Sequence, residues 1–506
     1  MRFRAKSTPE STIDAEDLSN SMLQKHFFPN QAANIPETPP SIDTSTFTRK
    51  CAVDIVQHLS ARKVGYDAVS YKLTRTNLTL RHAHIPHPVP YANLVMCIER
   101  NWSSIDHIVD NERSMLRPMV HPDGRMFVFD GYGESEQVRV TQALEERFAR
   151  RYVVKTDVKN LYPSIYSHSI AWALVGRSVA KTRKNYRTDY FNELDSAFRG
   201  CRRNETNGVL IGPGTSNLAA EIVLGAVDQS LSNGGHSQFH RFVDDYTYFA
   251  LTLPEAEDFI QALSKELSQF ELHLNEAKTE VIELPAPLKP GWMTALSLFE
   301  PRQGDGANRV RAFLDQAISL SSEKRDSSIL VYAVTVLLNS LDDERLLEMI
   351  PRPLLNLCFH RPRLIPLLDK LFRLDGDMVR KYEKDLNVLA RESLKGGRSD
   401  MASWCFHYPS FYQATIESTS VQEAIIAGDC IPLLVGYAFD QISSTELGDL
   451  LDTVAKEDDD YAWDRYWPLT YELYRRESKQ FGQDAPAFDI LAAHDVSFVH
   501  ADEASF

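Results

Sequence analysis

An α+β unit of ferredoxin-like βαββαβ pattern, followed by an all-α domain of HEAT-like helical repeats, is the fold class this sequence predicts. Three observations predict it. Between 147 and 284 the residues read as strand, helix, hairpin, helix, strand, with an extra loop and helix inserted. Pro285, Pro287, Pro290 and Gly291 then mark a boundary. From about 308 onward the apolar spacing is helical almost throughout.

Taken in order, residues 1–45 form an N-terminal arm and linker. An amphipathic stretch around 13–28 precedes Pro29, Pro36, Pro39 and Pro40 among polar residues. Residues 46–146 mix short apolar runs with turn signals such as Asp123-Gly124 and Asp130-Gly131, which predicts a helix and then short strands. Residues 147–290 are the α+β unit. Val, Tyr and Thr over 152–158 predict a strand, and 169–180 a helix. A loop over 208–214 is punctuated by glycines. Ser216 or Asn217 can cap the next helix, whose Val223, Val227 and Leu231 recur every four residues. Two β-type runs, 239–243 and 246–251, flank Asp244-Asp245 as a hairpin. Pro254 opens a helix with Phe259, Leu263, Leu267 and Phe270 on one face, and 279–284 is the last strand. Residues 305–506 are the repeat domain. Its helices are expected over 308–322, 326–341, 343–359, 362–374, 376–395, 398–407, 420–427, 429–441 and 444–456.

The composition is that of a globular chain. It has 506 residues, 43% hydrophobic and 25% charged, which excludes disordered, collagen-like and disulfide-scaffold classes. No two of the six Cys stand at C-x-x-C spacing, which argues against a structural zinc site. No apolar leader and no membrane-length apolar run occur, so a cytoplasmic protein with no membrane partner is expected. The net charge of −15 is unevenly placed. Residues 441–506 hold 15 acidic against 5 basic side chains, whereas 147–203 hold 13 basic against 4 acidic. The basic band, with Lys181, Arg183, Lys184, Arg187, Arg202 and Arg203, can track a phosphate backbone or be a solvated face.

The chemistry sits in the α+β unit. Asp157 lies near the end of a buried strand, where a carboxylate is costly unless it is paired or binds a metal. Phe242-Val243-Asp244-Asp245-Tyr246 puts two carboxylates in a hairpin, adjacent to that strand in a ferredoxin-like sheet. Convergent carboxylates without thiols or a His cluster suit Mg²⁺ or Mn²⁺. Two such ions about 4 Å apart can clamp the attacking and leaving oxygens of a phosphoryl transfer. Asp-Asp in a hairpin is commonly only a turn. The joint order is far more specific: Asp157, an aromatic five residues on, a Gly-Pro-Gly-Thr-Ser loop, the Val-Asp-Asp hairpin and a downstream Asn-Glu-Ala-Lys.

Those motifs resemble the palm of reverse transcriptases. The resemblance implies that Asp157, Asp244 and Asp245 are the catalytic, metal-holding carboxylates. It implies that Tyr162 is the gate excluding a 2′-OH, and that Gly212, Pro213 and Ser216 belong to the loop and helix under template and incoming nucleotide. Ser216 can equally be a helix cap. Lys278 lies near the triphosphate, as a general acid or phosphate contact, and Arg125 stands where related enzymes carry nucleotide-binding basic residues; a solvated lysine and a surface arginine are the plain alternatives. Residues 46–146 would be fingers-like. The Asp-Val-Lys-Asn-Leu-Tyr-Pro-Ser-Ile-Tyr phrase, the Gly-Pro loop with its downstream Glu221 and the helical tail are most similar to bacterial abortive-infection reverse transcriptases of the AbiK-like group. Asn217 departs from the Ser-Pro usual in retroviral and retron enzymes, and no thumb or nuclease domain is legible. The family implies anti-phage defence by DNA synthesis from dNTPs, protein-primed and without a template. Its product would be single-stranded DNA left attached to the protein, and its assembly a homo-oligomer, trimer or hexamer. The alternatives are copying of a non-coding RNA and a non-catalytic, RNA-binding oligomeric scaffold.

Overall fold

Residues 13–29, 36–75, 77–116, 118–119, 121, 124–126, 136–183, 185, 189–302, 305–339, 349–457, 459 and 461–500 are described in a computed structural model of the chain. Asp123, Asp130-Gly131, Lys184, Arg187 and the start of the helix expected over 343–359 lie outside those residues. The chain divides into two units. One takes 1–28, 47–67 and 86–286; the other takes 29–46, 68–85 and 287–506.

The second unit is mostly helical. Its helices include Ala307–Lys324, Ser328–Asn339, Pro351–His360, Glu383–Lys395, Ser399–Phe411, Ser418–Ala427, Cys430–Ala438 and Gly448–Ala455. Two more, Trp467–Glu477 and Ala485–Ala493, lie beyond the last helix expected from sequence. Ser399–Phe411 runs through the core, with Trp404, Phe406 and Tyr408 fully buried. Earlier segments also belong to this unit. Strands β1 (Ala68–Thr74) and β2 (Leu80–Pro86) make a hairpin, and Asp400 holds it through the backbone N–H and hydroxyl of Thr74 at 2.7 and 3.0 Å. Ile42 bridges to Val499, and the hydroxyl of Ser41 meets the ring of His407 at 3.0 Å. From sequence alone these segments read as an arm and a fingers-like region. All six Cys are buried and free, and burial pushes the thiol of Cys201 up to about 12. Among the described residues no helix is long and apolar enough to cross a membrane.

The first unit is built on one antiparallel sheet of β3 (Tyr152–Asp157), β4 (Phe239–Phe242), β5 (Asp245–Ala250) and β6 (Glu280–Glu283), in the order β4-β5-β3-β6. The first of these four strands in chain order, β3, thus lies inside the sheet, between β5 and β6. Its helices include α1 (Ala15–Gln24), α2 (Ser167–Val175), α3 (Arg177–Thr182), α4 (Tyr190–Gly200), α5 (Gly214–Asn233) and α6 (Leu253–Ser268). The helix expected over 169–180 is two helices, because Gly176 takes φ +81°, a conformation that ends α2. The hydroxyl of Thr252 caps α6, and Phe259, Leu263 and Leu267 are fully buried beneath it. By contrast α5 begins at Gly214, and neither Ser216 nor Asn217 is its cap.

Candidate active site

Asp157 ends β3, and its register places it directly opposite Asp245 on β5. Side chains at such a pair share one face, and like charges there repel. The expected hairpin turn shifts by one residue. Val243 and Asp244 make the turn, with Val243 at φ +56°, and Asp245 is already in the strand. The carbonyl of Asp244 accepts the N–H of Val158 at 3.0 Å, which fixes the turn beside the end of β3. A short 3₁₀ turn, Glu276–Lys278, follows Asn275, whose N–H donates to the carbonyl of Asp157 at 2.9 Å. That turn sends Lys278 back, and its ammonium pairs with Oδ2 of Asp157. Asp157, Asp245, Lys278 and Glu280 line one hollow of about 530 Å³.

Burial pushes the Asp244 carboxyl up, and the charges of Asp245 and Asp157 push it further. Asp245 is raised by burial and then by Asp157. Lys278 offsets part of both shifts. Asp157 is only 4% exposed, and its Oδ1 has no hydrogen-bond partner. An orphaned, buried carboxylate oxygen beside two mutually repelling carboxyls fits a hard divalent cation. The three carboxylates are not drawn together closely enough to ligate a single ion as they stand, and the Lys278 ammonium supplies the positive charge at Asp157 instead.

The glycine loop packs on the segment that follows Asp157. The N–H groups of Gly208 and Val209 donate to the carbonyls of Ile165 and Tyr162, both at 2.9 Å. Gly208 has φ +84°, and a Cβ there would meet the Pro163 carbonyl at 2.9 Å, so no side chain fits. Tyr162 donates its hydroxyl to Oδ1 of Asn217 at 2.6 Å. The departure from Ser-Pro at Asn217 thus supplies an acceptor for that ring. Gly212 and Pro213 lead into α5, and Ser216 is buried in its first turn. Arg125 sits on a turn closed by the His121 N–H donating to its carbonyl at 3.1 Å. His26 joins that turn to the loop. Its Nε2 accepts the Met126 N–H at 3.2 Å, and its carbonyl accepts the Gly214 N–H at 2.7 Å.

Sequence reasoning missed His26 and the ion cluster under the hairpin. Arg241, fully buried, forks onto Glu221 at 2.8 and 3.0 Å, reaches Asp228 at 2.9 Å and donates to the Val243 carbonyl at 2.9 Å. Tyr246 and Asn111 donate to Asp228 at 2.9 and 2.8 Å. The arginine thus holds the left-handed residue that presents Asp244 and Asp245. A signal was available: Arg241 interrupts an apolar strand, and Glu221 and Asp228 are seven residues apart, on one helix face.

Residues 112–311 match the reverse transcriptase (RNA-dependent DNA polymerase) family. The chain carries a reverse transcriptase domain. Its span includes Arg125, Asp157, Tyr162, the glycine loop, Asp244, Asp245 and Lys278. The protein is therefore a nucleotidyltransferase of the RNA-directed DNA polymerase type. Enzymes with this domain generally use divalent metals such as Mg²⁺ and bind nucleotides and nucleic-acid templates. Among solved structures, telomerase from Candida albicans in complex with a TWJ fragment of telomeric RNA matches at 11% identity and a TM-score of 0.31, over 70% of this chain and 67% of that one. Apo telomerase from Candida tropicalis matches at 11% identity and a TM-score of 0.31, over 78% and 69%. No curated protein matches this chain.

Proposed function

We propose that the enzyme polymerises dNTPs at the hollow between β3 and β5. One observation carries this reading: within a reverse transcriptase domain, the buried Asp157 faces Asp245 in register and keeps one carboxylate oxygen without a partner. Asp157 and Asp244 are the metal holders and Asp245 assists them. When bound, Mg²⁺ or Mn²⁺ supplies a Lewis acid that polarises the phosphoryl oxygen and lowers the pKa of an attacking hydroxyl. Lys278 leaves Asp157 when that charge is supplied and turns to the triphosphate, where it neutralises or protonates the leaving pyrophosphate. Arg125 and the loop Gly212-Pro213 with Ser216 contact the nucleotide. In this reading residues 147–290 are a ferredoxin-like palm, 46–146 are fingers-like and 305–506 are HEAT-like repeats that mediate homo-oligomer contacts.

The biological role we infer is anti-phage abortive infection, with DNA synthesis primed on a protein hydroxyl and free of a template. The AbiK-like phrasing of the palm supports it, as does the lack of a legible thumb, since a covalently held 3′ end stays at the metals without a duplex grip. Incubation with labelled dNTP and a denaturing gel, with and without protease, tests it. Label that migrates with the polypeptide and shifts on proteolysis is expected. Label free of protein would leave the polymerase but remove the priming, and no label at all would remove the polymerase.

Tyr162 gives a separate expectation. Its ring packs against C2′ of the nucleotide and is held by Asn217. Tyr162→Ala raises rNTP use relative to dNTP use by about tenfold or more, one such factor being about 1.4 kcal/mol of discrimination. An unchanged rNTP/dNTP preference makes Tyr162 an ordinary packing residue.

A further inference from the structure

A second hollow, larger than the first, opens on the same unit with no lining residue in common with it. It measures about 850 Å³ and lies among α2, α3 and α4. Its wall is aromatic. Tyr166 packs edge-on against the ring of His168 at 4.8 Å and tilts against Trp172 at 5.6 Å. The guanidinium of Arg177 lies over Trp172, 4.2 Å from the ring centroid, while its side chain stays 47% exposed. Such a guanidinium presents its outer plane, on which a further flat group can stack.

The polar groups are arranged around that stack. Asp195 is 2% exposed and holds Nδ1 of His168 at 2.7 Å, which leaves Nε2 of that ring for a ligand. Arg199 also approaches Asp195, at 3.5 Å, and Glu271 pairs with Arg177 at 3.1 Å, so both acidic groups of the lining are matched. Lys181, exposed at the rim, has no acidic partner among the described residues. The lining alone is near neutral. In sequence the helices of the hollow fall within the basic stretch 147–203, with 13 basic against 4 acidic residues. A stacking plane, an oriented imidazole and an unmatched ammonium inside a basic band are what an unstacked nucleotide of a strand needs: a face for the base and cations for its phosphates.

We propose that this hollow binds one segment of a single-stranded nucleic acid on its way to or from the metal-holding carboxylates. The base stacks on Arg177 over Trp172, and Lys181 and His168 meet the backbone. The position suits that path. The hollow begins at Pro163, six residues after Asp157, so its edge is at most about 22 Å from that carboxylate along the chain. The assignment rests on the polymerase reading for what the strand is, and on the hollow alone for where it binds.

Fluorescence anisotropy of the full chain with short labelled oligo-dT and oligo-U, over a series of salt concentrations, tests it. The double variant Arg177→Gln/Lys181→Gln should bind the preferred probe about tenfold more weakly at low salt. Its log–log salt slope should be shallower by about 0.7, the contribution of the one phosphate that no longer has Lys181 beside it. The control Lys324→Gln/Lys395→Gln makes the same change in net charge and should leave the slope as in wild type. Preference for oligo-dT assigns the hollow to product DNA, preference for oligo-U to template RNA, and equal binding to the backbone they share; each supports the site. Unchanged affinity and slope in Arg177→Gln/Lys181→Gln, or weakening with no change in slope, overturns it. The polymerase reading fails separately. Asp157→Ala should bind both probes as wild type does while incorporating no dNTP. A wild-type chain that incorporates nothing yet shows the Arg177/Lys181 dependence keeps the strand site and loses the polymerase.

Discussion

Asp157→Ala and Asp244→Ala each abolish incorporation of labelled dNTP in Mg²⁺ or Mn²⁺, by about 10³-fold or more, and leave the far-UV circular dichroism spectrum unchanged. The magnitude is what several kcal/mol of lost Lewis-acid stabilisation amounts to. The fold survives because neither carboxylate supports the sheet. The charge of Asp157 is directed at Lys278, whose side chain is 63% exposed and returns to water when the partner is gone. A pH profile adds an independent sign. Asp244 and Asp245 must be ionised to hold a cation, and burial with mutual repulsion raises both pKa values. Incorporation at limiting metal therefore falls as pH drops while still above the ordinary carboxylate range. Excess Mn²⁺ moves that fall to lower pH, because metal and proton compete for the same oxygens. Stability of the metal-free protein runs the other way. A raised folded-state pKa contributes stability that is present below the ordinary carboxylate range and lost as pH rises through the raised value. Wild-type rates in Asp157→Ala or Asp244→Ala, with the spectrum intact, would falsify the site.

Much of this site could be read from residue order, and the reason is local. Strand β3 announces itself by Val and Tyr, and its terminal Asp157 is conspicuous because a carboxylate does not belong at the buried end of such a run. The hairpin was legible too, but its phase was not. The expected turn fell on Asp244-Asp245, whereas Val243 takes the left-handed conformation and Asp245 enters the strand opposite Asp157. Nothing in the side chain of Val243 favours positive φ; a β-branched residue resists it. The cause is Arg241, which donates to the Val243 carbonyl and is itself held by Glu221 and Asp228 of α5. His26 escaped for the same reason, since it acts through its backbone carbonyl and one ring nitrogen on Gly214 and Met126, far along the chain. In the helical unit, periodicity located helices well but could not show that Asp400 would reach back to Thr74. Local patterns mark elements; partners hundreds of residues apart decide which element leans on which.

The ion cluster beneath the hairpin carries the largest expected change in stability. Arg241, Glu221 and Asp228 are at most 1% exposed and share one positive charge between two negative ones. Burial alone would lower the pKa of Arg241, but the charges of Asp228 and Glu221 hold it well above the ordinary arginine value. Every guanidinium nitrogen is engaged, and Tyr246 and Asn111 satisfy more of Asp228. Arg241→Ala leaves two carboxylates buried without a cation, which costs about 3–5 kcal/mol, the range seen when one partner of a buried ion pair is removed. By the usual scaling that lowers the melting temperature on the order of 10 °C. Arg241→Lys separates structure from function. It keeps the charge, so much of the stability stays, but a lysine has no planar fork to hold Glu221, Asp228 and the Val243 carbonyl together. The turn then loosens, and Asp244 and Asp245 lose their fixed position. The expected signature is a higher metal concentration for half-maximal incorporation, with a smaller fall in the rate at saturating metal. Replacing the cluster as a whole, with Arg241→Met, Glu221→Leu and Asp228→Asn together, should recover most of the stability lost in Arg241→Ala, because no charge is then left buried. It should not recover the metal affinity, because nothing then grips Val243. An Arg241→Ala protein that melts within a degree of wild type would show that the carboxylates find water or protons without cost. An Arg241→Lys protein with unaltered metal dependence would show that the turn holds Asp244 and Asp245 without the fork.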